Sequence, residues 1–148
     1  MSIQPDFEEF LRLLEEHSVD YMIVGGYALA FHGAPRYTGD MDLYVRPTPE
    51  NARRILAALD AFGFGSLGLS AKDLSSQDRV VQLGVPPVRV DLITSLSGVT
   101  WEQCWAGRQA GLYGDVPVSF IGRVQFIANK RAVGRTKDLA DLEALGEA

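Results

Sequence analysis

Two carboxylates spaced one residue apart, in Asp40-Met41-Asp42-Leu43, are the residues of this 148-residue chain whose type and spacing most directly suggest chemistry. The apolar run continues into Tyr44-Val45 and reads as a β-strand, in which alternate side chains share a face. Asp40 and Asp42 then project together while Met41 and Leu43 enter the core. Two carboxylates on one face repel each other, and a hard divalent cation, Mg²⁺ or Mn²⁺, relieves that repulsion through oxygen ligation. A solvated strand edge carries the same Asp-x-Asp pattern, so the pair has to be read with what precedes it. Upstream, Tyr21-Met22-Ile23-Val24 reads as a short buried strand that stops at Gly25-Gly26, where the backbone can turn tightly and approach a ligand closely. A helix starting there points its first unpaired amides outward beside the positive end of its dipole, a site suited to phosphate. Thirteen residues separate Gly26 from Asp40. A phosphate cradle followed by a metal-binding carboxylate pair is the equipment of phosphoryl-type transfer.

A third acid lies further on. Arg79-Val80-Val81-Gln82-Leu83 and Val88-Arg89-Val90-Asp91-Leu92-Ile93, joined by Gly84-Val85-Pro86-Pro87, predict a β-hairpin. In its second arm Val88, Val90 and Leu92 share one face, and Arg89, Asp91 and Ile93 the other. A carboxylate flanked by Val90 and Leu92 is costly unless it is paired or metal-bound. Asp91 is therefore the candidate third metal ligand, with an ion pair to Arg89 or Arg36 as the competing expectation.

The stretch 24–43 resembles the signature of the polymerase-beta-like nucleotidyltransferase superfamily: hydrophobic-Gly-Gly/Ser, a spacer, then Asp-hydrophobic-Asp/Glu-hydrophobic. Val24-Gly25-Gly26 and Asp40-Met41-Asp42-Leu43 fill that pattern. His32-Gly33, Arg36 and Thr38 extend the likeness toward the small bacterial proteins grouped near AbiEii-type toxins and the lincosamide-modifying enzymes. Tyr27 departs from it, standing where many members carry Ser or Thr. The resemblance implies a triad in which Asp40 and Asp42 hold two metal ions, while Asp91 helps to hold the one that binds the acceptor hydroxyl and takes its proton. It also places Arg36 near the site, its planar fork holding a phosphate or orienting a carboxylate; a structural salt bridge to Asp40 or Asp42 is the alternative. The stretch 129–142, NKRAVGRTKDLADL, is similar to the family's closing signature. That likeness makes Lys130 the residue expected to meet the nucleotide phosphates, with Gly25 and Gly26, and puts Arg135 and Lys137 nearby. Read from the residues alone, the same basic cluster is a solvated helical face with Asp138 and Asp141 pairing internally.

The elements that must position these groups follow from pattern. Residues 5–16 carry Phe7, Phe10, Leu11 and Leu14 at i, i+3, i+4, i+7 spacing, which predicts an amphipathic helix. A short helix over 26–31 and a loop over 32–39, with two glycines and a proline, return the chain to the sheet at 40–45. Thr48 caps a helix from Pro49 to about residue 62. Residues 63–77 read as an irregular loop with one helical turn, 101–108 as a helix, and 114–121 as a last edge strand where Pro117 is tolerated. Helices over 124–132 and 136–145 close the chain, with Gly134 between them. The expected fold is α/β (α+β): a mixed, mostly antiparallel sheet of about five strands with helices packed mainly on one face, the nucleotidyltransferase fold that the resemblance implies.

Apolar residues at 47% and charged residues at 22% suit one soluble globular domain, 1–148, with a helical tail about 123–146. The net charge of −5 argues against a broad nucleic-acid-binding surface. No apolar run approaches the roughly 18 residues of a membrane span. The amino terminus is acidic and lacks a signal-peptide pattern. Cys104 is the single cysteine and lies in an apolar helical pattern, so it reads as core, and the expected home is a reducing cytoplasm. The resemblance implies metal-dependent transfer of a nucleoside monophosphate from a nucleoside triphosphate to a hydroxyl or phosphate acceptor, with release of pyrophosphate. Small molecules, tRNA and proteins are the acceptor classes to consider. A toxin-like enzyme with a cognate antitoxin, and a homodimer that completes the cleft, are further expectations. The alternative is a catalytically inactive nucleotide-binding or scaffold domain of the same fold.

Overall fold

The computed structural model of the chain describes residues 3–64 and 68–147. Helix α1 (Pro5–Glu16) starts where Gln4 caps it, its side-chain oxygen accepting the Asp6 N–H, and it buries Phe7, Phe10, Leu11 and Leu14 as their spacing requires. Strand β1 (Tyr21–Val24) is buried throughout and runs directly into α2 (Gly25–Phe31). Strand β2 (Asp40–Val45) carries the paired acids. Helix α3 (Pro49–Phe62) begins with the Thr48 hydroxyl accepting the Asn51 N–H at 3.3 Å and ends at left-handed Gly63. Next come α4 (Ala71–Ser75), β3 (Val80–Val85), β4 (Val88–Ile93), α5 (Trp101–Ala106), β5 (Gln109–Tyr113), β6 (Val116–Phe120), α6 (Arg123–Val133) and α7 (Thr136–Ala144). The loop expected over 63–77 contains the one helical turn, α4; its portion 65–67 lies outside the described residues.

All six strands form one sheet in the order β3-β4-β2-β1-β6-β5. β1 lies antiparallel to β2, β3 to β4 and β5 to β6, while β2 pairs parallel with β4 and β1 parallel with β6. The sheet is thus mixed and mostly antiparallel, with six strands in place of about five. The added strand is β5, whose Gln109-Ala110-Gly111 start carries little strand propensity. Its presence moves β6 inward, so the strand expected at the edge is an interior one. Pro117 is accommodated because the parallel contact with β1 is confined to Ile23 opposite Phe120, and Pro117 faces Leu112 of β5.

Met41 and Leu43 are fully buried, as are Met22, Ile23, Leu11, Leu14 and Ile55. Burying an aliphatic side chain of this kind contributes about 1.5–3 kcal/mol. Buried Asn51 ties the strand ends together: its carbonyl oxygen accepts the Asp20 N–H at 2.8 Å, and its amide donates to the carbonyls of Asp20 and Arg46 at 3.0 Å each. The start of β1 and the end of β2 are thereby fixed to α3, which anchors the strand that presents the acids. Among the described residues no helix is long and apolar enough to cross a membrane.

Candidate active site

The glycine pair and the acids meet at one end of the sheet. Gly25 adopts φ +66°, and a Cβ on it would collide with the Asp42 carboxylate. A Cβ on Gly26 would fall 2.7 Å from Cβ and 2.9 Å from Oγ1 of Thr38. The two glycines therefore let the first turn of α2 pack directly between the acid strand and the loop that leads into it. No side chain caps the start of α2, so its first amides have no side-chain acceptor at the N-cap. Thr38 Oγ1 donates to the Asp40 carbonyl at 3.1 Å, which joins the loop to the first residue of β2.

The parallel pairing of β2 with β4 puts Asp42 in register with Asp91 and Asp40 in register with Arg89. Alternation then places Asp40, Asp42, Arg89 and Asp91 on one face. Burial pushes the Asp42 carboxyl up to about 6, with repulsion from Asp91 and then Asp40 adding to it, while Lys137 and Lys130 partly offset the effect. Asp91 is buried and held by a bidentate fork: Arg89 Nε donates to Oδ1 at 3.1 Å and Nη2 to Oδ2 at 3.0 Å. The same guanidinium lies 3.7 Å from Asp40 Oδ2. The Arg89 partner expected for Asp91 is thus present, and the Arg36 partner is not. Among the described residues, no three carboxylate, imidazole or thiol groups converge at ligand spacing. The structure therefore gathers the three acids on one face but inserts a cation between two of them.

Arg36 corrects one expectation. It pairs with neither Asp40 nor Asp42; its Nε and Nη2 donate to the two oxygens of Asp141 at 3.0 and 3.2 Å. The reason is that α7 folds back toward the 32–39 loop and presents a buried carboxylate to it. Lys130, expected to meet phosphate, is only 7% exposed, and its Nζ stands 3.1 Å from both Asp138 Oδ1 and Asp141 Oδ2. Arg135 closes the cluster, with Nε 2.7 Å from Asp138 Oδ2. Burial alone would raise both acids, but hydrogen bonds from Arg135 and Lys130 hold Asp138 at about 2, and those from Arg36 and Lys130 hold Asp141 below the usual carboxylate range. The closing signature therefore pairs internally through buried Lys130, Asp138 and Asp141, as the reading from the residues alone expected, while residues 131–137 between them are exposed.

Lys137 differs from its neighbours. It is exposed, makes no ion pair among the described residues, and its charge is felt at Asp42. Tyr27, after the glycines, turns away from them and packs edge-on against Phe7 and Tyr113, with ring centroids 6.0 and 5.6 Å apart. A cavity of about 610 Å³ opens beside the same loop, with Tyr27, Arg36, Tyr37 and Thr38 among its lining residues. His32 is structural, its Nε2 lying 2.8 Å from the Ile121 carbonyl. Thr38 entered the sequence reading through the family likeness and Arg89 as the competing partner of Asp91, whose shared face with it was legible from alternation; the approach of Arg89 to Asp40 was not foreseen.

No family model matches the sequence, and no curated protein matches it. Solved structures do. A candidate nucleotidyltransferase from Thermotoga maritima superposes with a TM-score of 0.65 at 14% identity, covering 99% of this chain and 97% of that one. The antibiotic-resistance factor ANT(2'')-Ia gives a TM-score of 0.61 at 14% identity, covering 95% of this chain and 80% of its own. An antigenic nucleotidyltransferase-like protein from Paracoccidioides brasiliensis gives 0.55 at 18% identity, with 95% and 75% covered. At these identities the likeness is one of fold: the chain has the architecture of nucleotidyltransferases.

Proposed function

We propose that the chain is a metal-dependent nucleotidyltransferase of the polymerase-beta-like superfamily, moving a nucleoside monophosphate from a triphosphate to a hydroxyl or phosphate acceptor. The observation that carries this reading is the register of β2 with β4, which sets Asp42 beside Asp91, with Asp40 on the same face, against the glycine turn. The donor set consists of carboxylate oxygens, which fits Mg²⁺ or Mn²⁺. When bound, such ions would neutralise the charge that develops on the transferring phosphoryl group.

The chain's own residues do the rest. The first amides of α2 receive phosphate oxygens. Asp91 accepts the proton of the attacking hydroxyl, a role suited to a carboxylate at the acceptor's side. Lys137, free of carboxylate partners among the described residues, meets the triphosphate. Arg36 and Lys130, bound to Asp141 and Asp138, act by holding the loop and the closing helices against the site.

A second reading, a nucleotide-binding domain without turnover, is favoured by Arg89 on Asp91 and by Tyr27 in place of a short hydroxyl. The two are separated by incubating the protein and Mg²⁺ with triphosphates labelled at the α-phosphate, using tRNA, protein extract and small hydroxylated compounds as acceptors. Transfer of label is expected in wild type. Asp42→Asn should lower it by roughly a hundredfold or more, the scale of losing one preorganised electrostatic contact. Triphosphate binding without label transfer would favour the second reading, and transfer that survives Asp42→Asn would contradict the assignment of the site.

A further inference from the structure

We propose that Arg89 is the resident counter-cation of the carboxylate site and that a divalent ion must displace it to bind there. The inference rests on the nucleotidyl-transfer reading above and adds a role for a residue outside the acid triad. Arg89 is in register with Asp40 on β2 and two residues before Asp91 on β4, so its side chain shares their face. Its fork engages both oxygens of Asp91 at 3.1 and 3.0 Å and approaches Asp40 at 3.7 Å. A hard cation ligated by Asp91 needs at least one of those oxygens and would stand against a guanidinium of like charge. The fork and the ion therefore exclude each other. The exclusion also accounts for the lack of three converged ligands among the described residues, since the fork spans two of the three acids.

Two features of the surroundings allow the exchange. Arg89 keeps 30% of its side chain exposed, so its guanidinium can move into water without crossing the core. Its register neighbour on edge strand β3 is exposed Gly84, which offers no side chain to fence it in. With Arg89 in place the three acids and the arginine sum to a charge of −2; without it they would sum to −3 on one strand face. Arg89 thus stabilises the metal-free fold and sets the threshold concentration at which a divalent ion enters.

The test is calorimetric titration of Mn²⁺ into metal-stripped wild type, Arg89→Gln and Arg89→Lys, with Asp42→Asn as the low-affinity control. Far-UV circular dichroism checks that each variant is folded. Arg89→Gln is expected to bind Mn²⁺ roughly five- to tenfold more tightly while its metal-free form melts at a lower temperature. Arg89→Lys, which keeps the charge but loses the bidentate fork, should fall between, and it carries the test if the glutamine variant does not fold. Mn²⁺ affinity in Arg89→Gln or Arg89→Lys equal to or weaker than wild type would overturn the inference and leave the metal site standing. No Mn²⁺ binding by wild type or by either Arg89 variant would overturn the nucleotidyl-transfer reading itself.

Discussion

At the scale of single residues, Asp42 is where the chemistry concentrates. Its carboxyl is pushed up to about 6 by burial first, and by Asp91 and Asp40 next. The folded value lies above that of an unfolded aspartate, so the native state binds the extra proton between roughly pH 4 and pH 6. Stability contributed by this group is therefore largest at the acid end of that window and falls as pH rises through it. We expect metal-free wild type to lose thermal stability relative to Asp42→Asn over that range, and Mn²⁺ affinity to fall as pH drops below about 6. A wild-type to Asp42→Asn difference that stays flat with pH would contradict this. Asp138 works with the opposite sign: held at about 2, it contributes stability above the unfolded value that is lost as pH falls through the folded one. The carboxylate pair, the glycines and Asp91 were legible from residue type and alternation. The pairing of Asp138 and Asp141 within the basic cluster was legible too; the partner of Arg36 was not, because Asp141 is brought to it by tertiary packing from 105 positions away.

At the scale of elements, buried Lys130, Asp138 and Asp141, with the exposed Arg36 and Arg135 closing over them, join α6, α7 and the loop that leads into β2. Removing one partner of a buried ion pair typically costs about 3–5 kcal/mol, because the remaining charge stays desolvated. Arg36 and Arg135 still cover the two acids, so Lys130→Met should fall at the lower end, about 3 kcal/mol, in urea unfolding. A role in direct phosphate binding predicts the reverse: unchanged stability and weakened triphosphate affinity. The helices were legible because their apolar spacing and their caps, Thr48 at α3 and Gly134 after α6, agree with each other. Strand β5 was not, since Gln109-Ala110-Gly111 lacks the β-branched pattern and is held in place by pairing with β6.

At the scale of the whole molecule, two parallel pairings do the decisive work. β2 against β4 brings Asp91 to Asp42 from 49 positions away, and β1 against β6 carries the chain back so that α6 and α7 reach the loop before β2. Such crossovers leave no local mark, so the motif suggested that the acids belong together while only the assembled sheet shows how. The central claim is that this assembly binds a nucleoside triphosphate through a divalent metal on the β2 acids. The measurement that tests it most directly is a thermal shift with each of the four ribonucleoside triphosphates, with and without Mg²⁺, on wild type and the Asp40→Asn/Asp42→Asn double variant. A ligand that binds only the native state raises the melting temperature. The account predicts a Mg²⁺-dependent rise with at least one triphosphate in wild type and none in the double variant. No rise with any triphosphate, or the same rise in both proteins, would contradict it.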